Sequence, residues 1–174
     1  MGETTIAPSL GDTLMMKYQH KVSLNADIQT VCRLFSEHQS LKQWQPELHE
    51  VTPLIGVPGE QGSTCFMEYR LGLFQFLVLK TIVTNHPPKT FVATYQIHNI
   101  WNQKKSHFVR LDEHRTRWVL VSEFRFNGIM KLVGFFFPLL FRYTTSRYMK
   151  QFQSYIDRQH CDSASTDLSK LNSK

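Results

Sequence analysis

The chain is poor in the features that usually carry chemistry. Its three cysteines, Cys32, Cys65 and Cys161, are odd in number, far apart and without a CxxC spacing. This excludes a zinc ribbon or a dithiol redox centre and predicts reduced, mostly buried thiols. No apolar run approaches the roughly 20 residues of a membrane span, the stretch 132–141 being about half that length. The first residues include Glu3 and Asp12 and no basic region followed by an apolar one. No secretory signal is therefore expected, and a cytoplasmic, soluble protein is. A phosphate loop is missing too, because Gly56, Gly59 and Gly62 precede a strand pattern whereas such loops open a helix. Lys and Arg give a formal net charge of +6 and a pI near 9.3, yet they are scattered, with no basic run interleaved with stacking aromatics. Nucleic acid is not an expected partner. Arg110, His114, Arg115 and Arg117 form the one cluster, at a predicted hairpin tip.

What the chain does have is aromatic rings. Thirteen Phe, six Tyr and three Trp in 174 residues favour either a bulky core or a cavity lined by ring faces. The length suits one domain that buries a core without metal or disulfide staples.

The segment from Gly128 to Gln159 organises the rest. It reads as a long helix broken or bent once, at Pro138, with apolar residues at Phe137, Phe141, Tyr148, Phe152 and Tyr155 or Ile156, the three- and four-residue spacing of a helical stripe. Such a stripe needs a surface to cover it. The preceding chain offers one. Residues 1–14 read as a flexible N-terminal arm. Alternation over Met16, Tyr18, His20, Val22 and Leu24 gives a first strand from Met15, and Asn25 or Asp27 caps a short helix with Ile28, Val31, Cys32, Leu34 and Phe35 on one face. A second short helix, from about Ser40 to Gln43, is stopped by Pro46. Further strands follow at Glu47 to Ile55, Thr64 to Leu71, Phe74 to Thr84, Phe91 to His98, Trp101 to Leu111 and Thr116 to Phe126. The main domain is thus expected over 15–159, and the Ser- and Asp-rich tail, 160–174, is expected to be disordered.

The order of these elements, with several local phrases, resembles the START-like or helix-grip superfamily, also called SRPBCC, which includes polyketide cyclases and dehydrases and lipid-transfer proteins. The phrases are Val22-Ser23-Leu24-Asn25-Ala26-Asp27 leading to Val31 and Phe35, Leu41-Lys42-Gln43-Trp44-Gln45-Pro46-Glu47-Leu48, Gly56 to Ser63, His86-Pro87-Pro88-Lys89, and the aromatic C-terminal helix. The resemblance implies an α+β, helix-grip fold: a curved antiparallel sheet of about seven strands wrapped around a long C-terminal helix, with two short helices after strand 1. It also implies a hydrophobic cavity between sheet and helix, used by different members to bind lipids, sterols or polyketides, to catalyse cyclisation or to meet protein partners. A shared scaffold does not choose among these.

Strand parity and the helical stripe nominate Tyr69, Tyr95, Ile97, Trp118, Phe124, Phe137, Phe141, Tyr148 and Phe152 as cavity lining; the competing reading is a solid core. Glu68 and Arg70, two apart on one strand face, suit an oriented carboxylate, and His98 and His107 fall on adjacent predicted strands where they can meet. These four are the candidate polar contacts. Two histidines without a third ligand make no metal site, so neither metal nor cofactor is expected. The leading expectation is binding or transfer of an apolar small molecule such as a lipid, isoprenoid or aromatic polyketide, without catalysis. One alternative is a cyclase- or dehydrase-like enzyme using Glu68, Arg70 or a histidine. Another is a protein-interaction module or homodimer, because Phe74, Phe76, Val78 and Ile82 oppose Leu77, Leu79 and Val83 and leave neither face of that strand polar. The segment 132–141, if exposed, makes a peripheral membrane patch between Lys131 and Arg142.

Overall fold

The computed structural model describes residues 5–8, 13–37, 40–136 and 138–171. Their order is β1 (Thr5–Pro8), β2 (Thr13–Leu24), α1 (Ile28–Ser36), α2 (Leu41–Trp44), β3 (Leu48–Ile55), β4 (Thr64–Leu71), β5 (Phe74–His86), β6 (Thr90–Ile97), β7 (Ile100–Arg110), β8 (Thr116–Asn127), α3 (Met130–Phe136) and α4 (Pro138–Leu171). The strands form one sheet of eight in the order β1-β2-β8-β7-β6-β5-β4-β3. From β3 to β8 each strand pairs antiparallel with the next through a short turn. The exception in this ladder is β2, which pairs with β8 from Thr13 opposite Asn127 to Leu24 opposite Thr116. The fold is α+β, with α4 lying across one face of the sheet.

Local chemistry accounts for the helix boundaries. The Asp27 carboxylate caps α1, accepting from the backbone N–H of Gln29 at 2.9 Å and Thr30 at 3.0 Å, which satisfies donors that a helix start leaves open. Helix α1 then buries Val31, Leu34 and Phe35. Pro138 opens α4 instead of bending its middle, because a proline in the first turn lacks only an N–H that would go unpaired there. Helix α3 reaches the sheet through its one buried residue, Gly134. A Cβ added there would come within 2.6 Å of the Phe126 ring, so only glycine permits so close an approach.

The sheet is half-buried in the manner its alternation predicts. In β8, Trp118, Leu120, Ser122, Phe124 and Phe126 are buried while Arg117 and Arg125 are exposed. From α4, Thr145, Met149, Phe152, Tyr155 and Ile156 turn toward the sheet and are buried. Beneath α4, Phe35 is the hub of a ring cluster, with its centroid 5.0 Å from Phe108, 5.3 Å from Trp118 and 5.5 Å from Phe152.

Three details differ from the sequence reading. Within the expected N-terminal arm, Thr5–Pro8 forms a strand on the free edge of β2, and β2 starts at Thr13 in place of Met15. The sheet accordingly has eight strands. Helix α4 continues to Leu171 through the expected disordered tail, since Leu139 to Leu171 contains neither Gly nor Pro to stop it. Among the described residues no helix is long and apolar enough to cross a membrane.

Candidate ligand cavity

Between the sheet and the first half of α4 lies a cavity of about 300 Å³. Parity puts its walls together. Tyr69 on β4, Phe76 and Val78 on β5, Tyr95 and Ile97 on β6, Ile100, Asn102 and Lys104 on β7, and Phe124 on β8 all project from the concave face. Helix α4 closes it with Phe141, Thr144, Thr145, Tyr148 and Gln151, and the loop after α2 adds Gln45 and Glu47. A larger hollow of about 410 Å³ lies on the far side of α4, between that helix and α2, walled by Gln43, Arg147, Lys150, Gln151 and Arg158. Its walls also include Trp44, Pro46 and Tyr143; the smaller cavity is the one whose apolar walls reach the interior.

Hydrogen bonds pin the helix over the cavity. The Tyr18 hydroxyl donates to the Phe141 carbonyl at 2.6 Å and accepts from the Thr145 hydroxyl at 2.8 Å, fixing the first turns of α4 to β2. At the opposite side Glu47 accepts from Arg147 and, at 3.1 Å, from Gln151, and the Tyr69 hydroxyl donates to Gln45 Oε1 at 2.8 Å. Burial holds the phenols of Tyr18, Tyr69, Tyr95 and Tyr148 well above the ordinary tyrosine range, so all four remain O–H groups. Desolvation, with the like charge of Lys80, pushes the Lys104 ammonium down to about 8. Lys80 itself, buried on β5, is lowered by burial. The Lys104 Nζ sits 3.9 Å from the Tyr148 ring centroid and 4.8 Å from that of Tyr95, within cation–π range.

Of the residues nominated from sequence, Tyr69, Tyr95, Ile97, Phe124, Phe141 and Tyr148 line the cavity together. Trp118 and Phe152 do not: Phe152, one turn beyond Tyr148 on α4, and Trp118 on β8 are fully buried, and their rings interlock at 5.5 Å as a solid floor. Phe137 lies outside the described residues. The four candidate polar contacts are elsewhere. Glu68 and Arg70 pair with each other at 3.0 Å on the convex face, since Met67 and Tyr69 take the inward parity. His98 is exposed in the β6–β7 turn at a φ of 48°. His107 bonds to the Lys89 carbonyl and lies opposite Val119, far from His98. None of the four is part of the cavity lining. Among the described residues no three His, Cys, Asp or Glu side chains gather as a metal site.

Sequence reasoning missed Lys104 and Lys80. The signal was present for Lys80, which takes the inward position in the series Phe76, Val78, Lys80, Ile82. For Lys104 the inward series Asn102, Lys104, Ser106 is polar throughout and reads as the outer face.

No family profile matches the chain, and no curated protein matches it. Solved structures do. Norcoclaurine synthase from Thalictrum flavum, in complex with dopamine and hydroxybenzaldehyde, superimposes with a TM-score of 0.67 at 11% identity, over 90% of this chain and 97% of that one. The ZhuI aromatase/cyclase of a Streptomyces species gives 0.68 at 12% identity, over 83% and 95%. Ara h 8.0201 gives 0.66 at 11%, over 82% and 97%. The chain has the helix-grip fold. At such identities the likeness is one of fold, and in the helix-grip arrangement the space between α4 and the sheet is the cavity described above.

Outside the cavity lining, several large apolar side chains are exposed. Leu132, Phe135 and Phe136 of α3 and Leu139 and Leu140 of α4 are all more than half exposed, as are Leu73 and Phe74 at the β4–β5 turn. On the convex face of β5, Leu77 and Val83 are also exposed.

Proposed function

We propose that the protein binds an apolar small molecule in the cavity between the sheet and α4, and acts in its binding or transfer. The observation that carries this reading is the lining itself: Phe76, Val78, Ile97, Ile100, Phe124 and Phe141 wall a space of about 300 Å³ that the neighbouring ring cluster leaves unfilled. Burying apolar ligand surface there supplies about 25 cal/mol per Å², while the few polar side chains set orientation. The exposed leucines and phenylalanines of α3 and the start of α4 offer a ligand continuous apolar surface on its way in. Two similar structures support the reading: norcoclaurine synthase is solved in complex with dopamine and hydroxybenzaldehyde, and ZhuI is an aromatase/cyclase.

Native mass spectrometry of freshly purified protein, followed by solvent extraction, tests it, together with a titration of the uncharged dye Nile red. A one-to-one apolar adduct, or saturable dye fluorescence that Ile97→Asp abolishes, is the expected result. A clean mass together with no saturable dye binding rejects it.

A further inference from the structure

Lys104 is the one charge in the cavity wall that its surroundings do not answer. Among the described residues no carboxylate pairs with it; its contacts are the faces of Tyr95 and Tyr148. Glu47, the acid that shares the cavity wall, is already engaged by Arg147 and Gln151. Lys80 places a second ammonium on the same concave face, in the row that neighbours Tyr95, and adds to the positive field. Charges withdrawn even partly from water gain from an opposite partner.

The neutral groups around Lys104 tell the same story. The hydroxyls of Tyr95 and Tyr148, whose rings flank Lys104, each carry a proton that can be donated. Because burial keeps both phenols protonated, neither supplies a negative charge. This end of the cavity is therefore rich in donors and cationic, while the opposite walls, Phe76, Ile97 and Phe124, are apolar. A group with only acceptor oxygens and one negative charge satisfies the donors and the ammonium together.

We propose that the ligand of this cavity is an apolar acid whose carboxylate is seated on the Lys104 ammonium beside the Tyr95 and Tyr148 rings. The proposal rests on the apolar-ligand reading above and adds to it the chemical class of the ligand's polar end. Charge-assisted hydrogen bonding makes the acid the better ligand than the alcohol of the same chain length, by about tenfold or more.

The test displaces Nile red from the full chain with decanoate and with decanol at neutral pH, in the wild type, Lys104→Met and Lys104→Arg. The expected result is that decanoate beats decanol by about tenfold in the wild type, that Lys104→Met loses this preference, and that Lys104→Arg keeps most of it. Equal affinities in the wild type overturn the carboxylate assignment and leave the apolar cavity standing. A preference that survives in Lys104→Met overturns it as well, since the net positive charge of the chain then explains the selectivity. If neither probe nor the dye binds, the cavity reading fails and this inference with it. The wild-type comparison stands even if the methionine variant does not fold.

Discussion

The two halves of α4 above the sheet face the same concave surface and meet it in opposite ways. Toward the C-terminal side, Phe152 packs among Trp44, Trp118 and Phe35 with centroids 4.9 to 5.5 Å apart in edge-to-face pairs, leaving no space. Toward the N-terminal side, Phe141 and Tyr148 span a gap, and the sheet residues facing it include Tyr95, Asn102 and Lys104. The contrast lies in side-chain size and polarity at equivalent inward positions. Rings from α1, α2, β7 and β8 converge at one end; at the other no short helix supplies a Phe35 or a Trp44 to fill the hollow. A helix-grip sheet is thus a core at one end and a container at the other, and α1 and α2 decide where the first gives way to the second.

The sharpest way to break this comparison is to truncate one ring at each end. Phe152→Ala removes a fully buried ring from the solid end and should cost about 3–5 kcal/mol in urea denaturation. Phe76→Ala, on the half-buried cavity wall, should cost about 1 kcal/mol. Equal losses would mean that the two ends are packed alike.

Lys104→Met sharpens the contrast from the electrostatic side. The Lys104 ammonium titrates at about 8 in the folded chain, below the ordinary lysine value of 10.5. Between these the unfolded chain binds more protons, so wild-type stability rises with pH from about 8 upward. Lys80 is lowered too and works in the same direction. The rise ends near pH 10, where unfolded tyrosines ionise while Tyr18, Tyr69, Tyr95 and Tyr148 stay protonated in the fold; there stability falls again. The methionine variant should melt higher than wild type at neutral pH and show a weaker rise. A lower melting temperature with an unchanged pH profile would show that Lys104 is comfortable where it is.

Smaller still is the effect of Gly134→Ala. Helix propensity alone would favour alanine by up to about 1 kcal/mol, but the new methyl would press on the buried Phe126 ring. The expected outcome is a net loss of about 1 kcal/mol with faster amide hydrogen exchange confined to α3. Stabilisation without change in exchange would contradict the close approach. Leu139→Ser, at a position 74% exposed, should shift stability by no more than about 0.5 kcal/mol, and calorimetry suffices to check it.

Much of this architecture was legible in the residues. Strand alternation and turn residues located β4 at Thr64 to Leu71 and set the others within a few positions, because each face of a half-buried strand meets a different solvent. Pro138 marked the break before α4. The site was harder to read. Tyr69 and Tyr95 carried the inward parity visibly, whereas Trp118 shares that parity, and Phe152 the helical stripe, yet both fill the floor: such patterns say which face a side chain takes and nothing of whether the space before it is filled. Glu68 and Arg70 drew attention as a charged pair, but a pair that can reach each other on a convex face needs no cavity. Lys104 escaped because an inward lysine looks like an outward one until the neighbouring strands are in place.

The pairing of β2 with β8 has a temporal meaning. Thr13 meets Asn127 and Leu24 meets Thr116, so an early strand waits for a late one while the ladder from β3 to β8 can zip from neighbour to neighbour. Closing a loop of roughly a hundred residues costs entropy before any contact repays it. On a ribosome, the nascent chain therefore carries β2 without its β8 partner until β8 has been made. That interval is when this sequence is most open to chaperones and to aggregation.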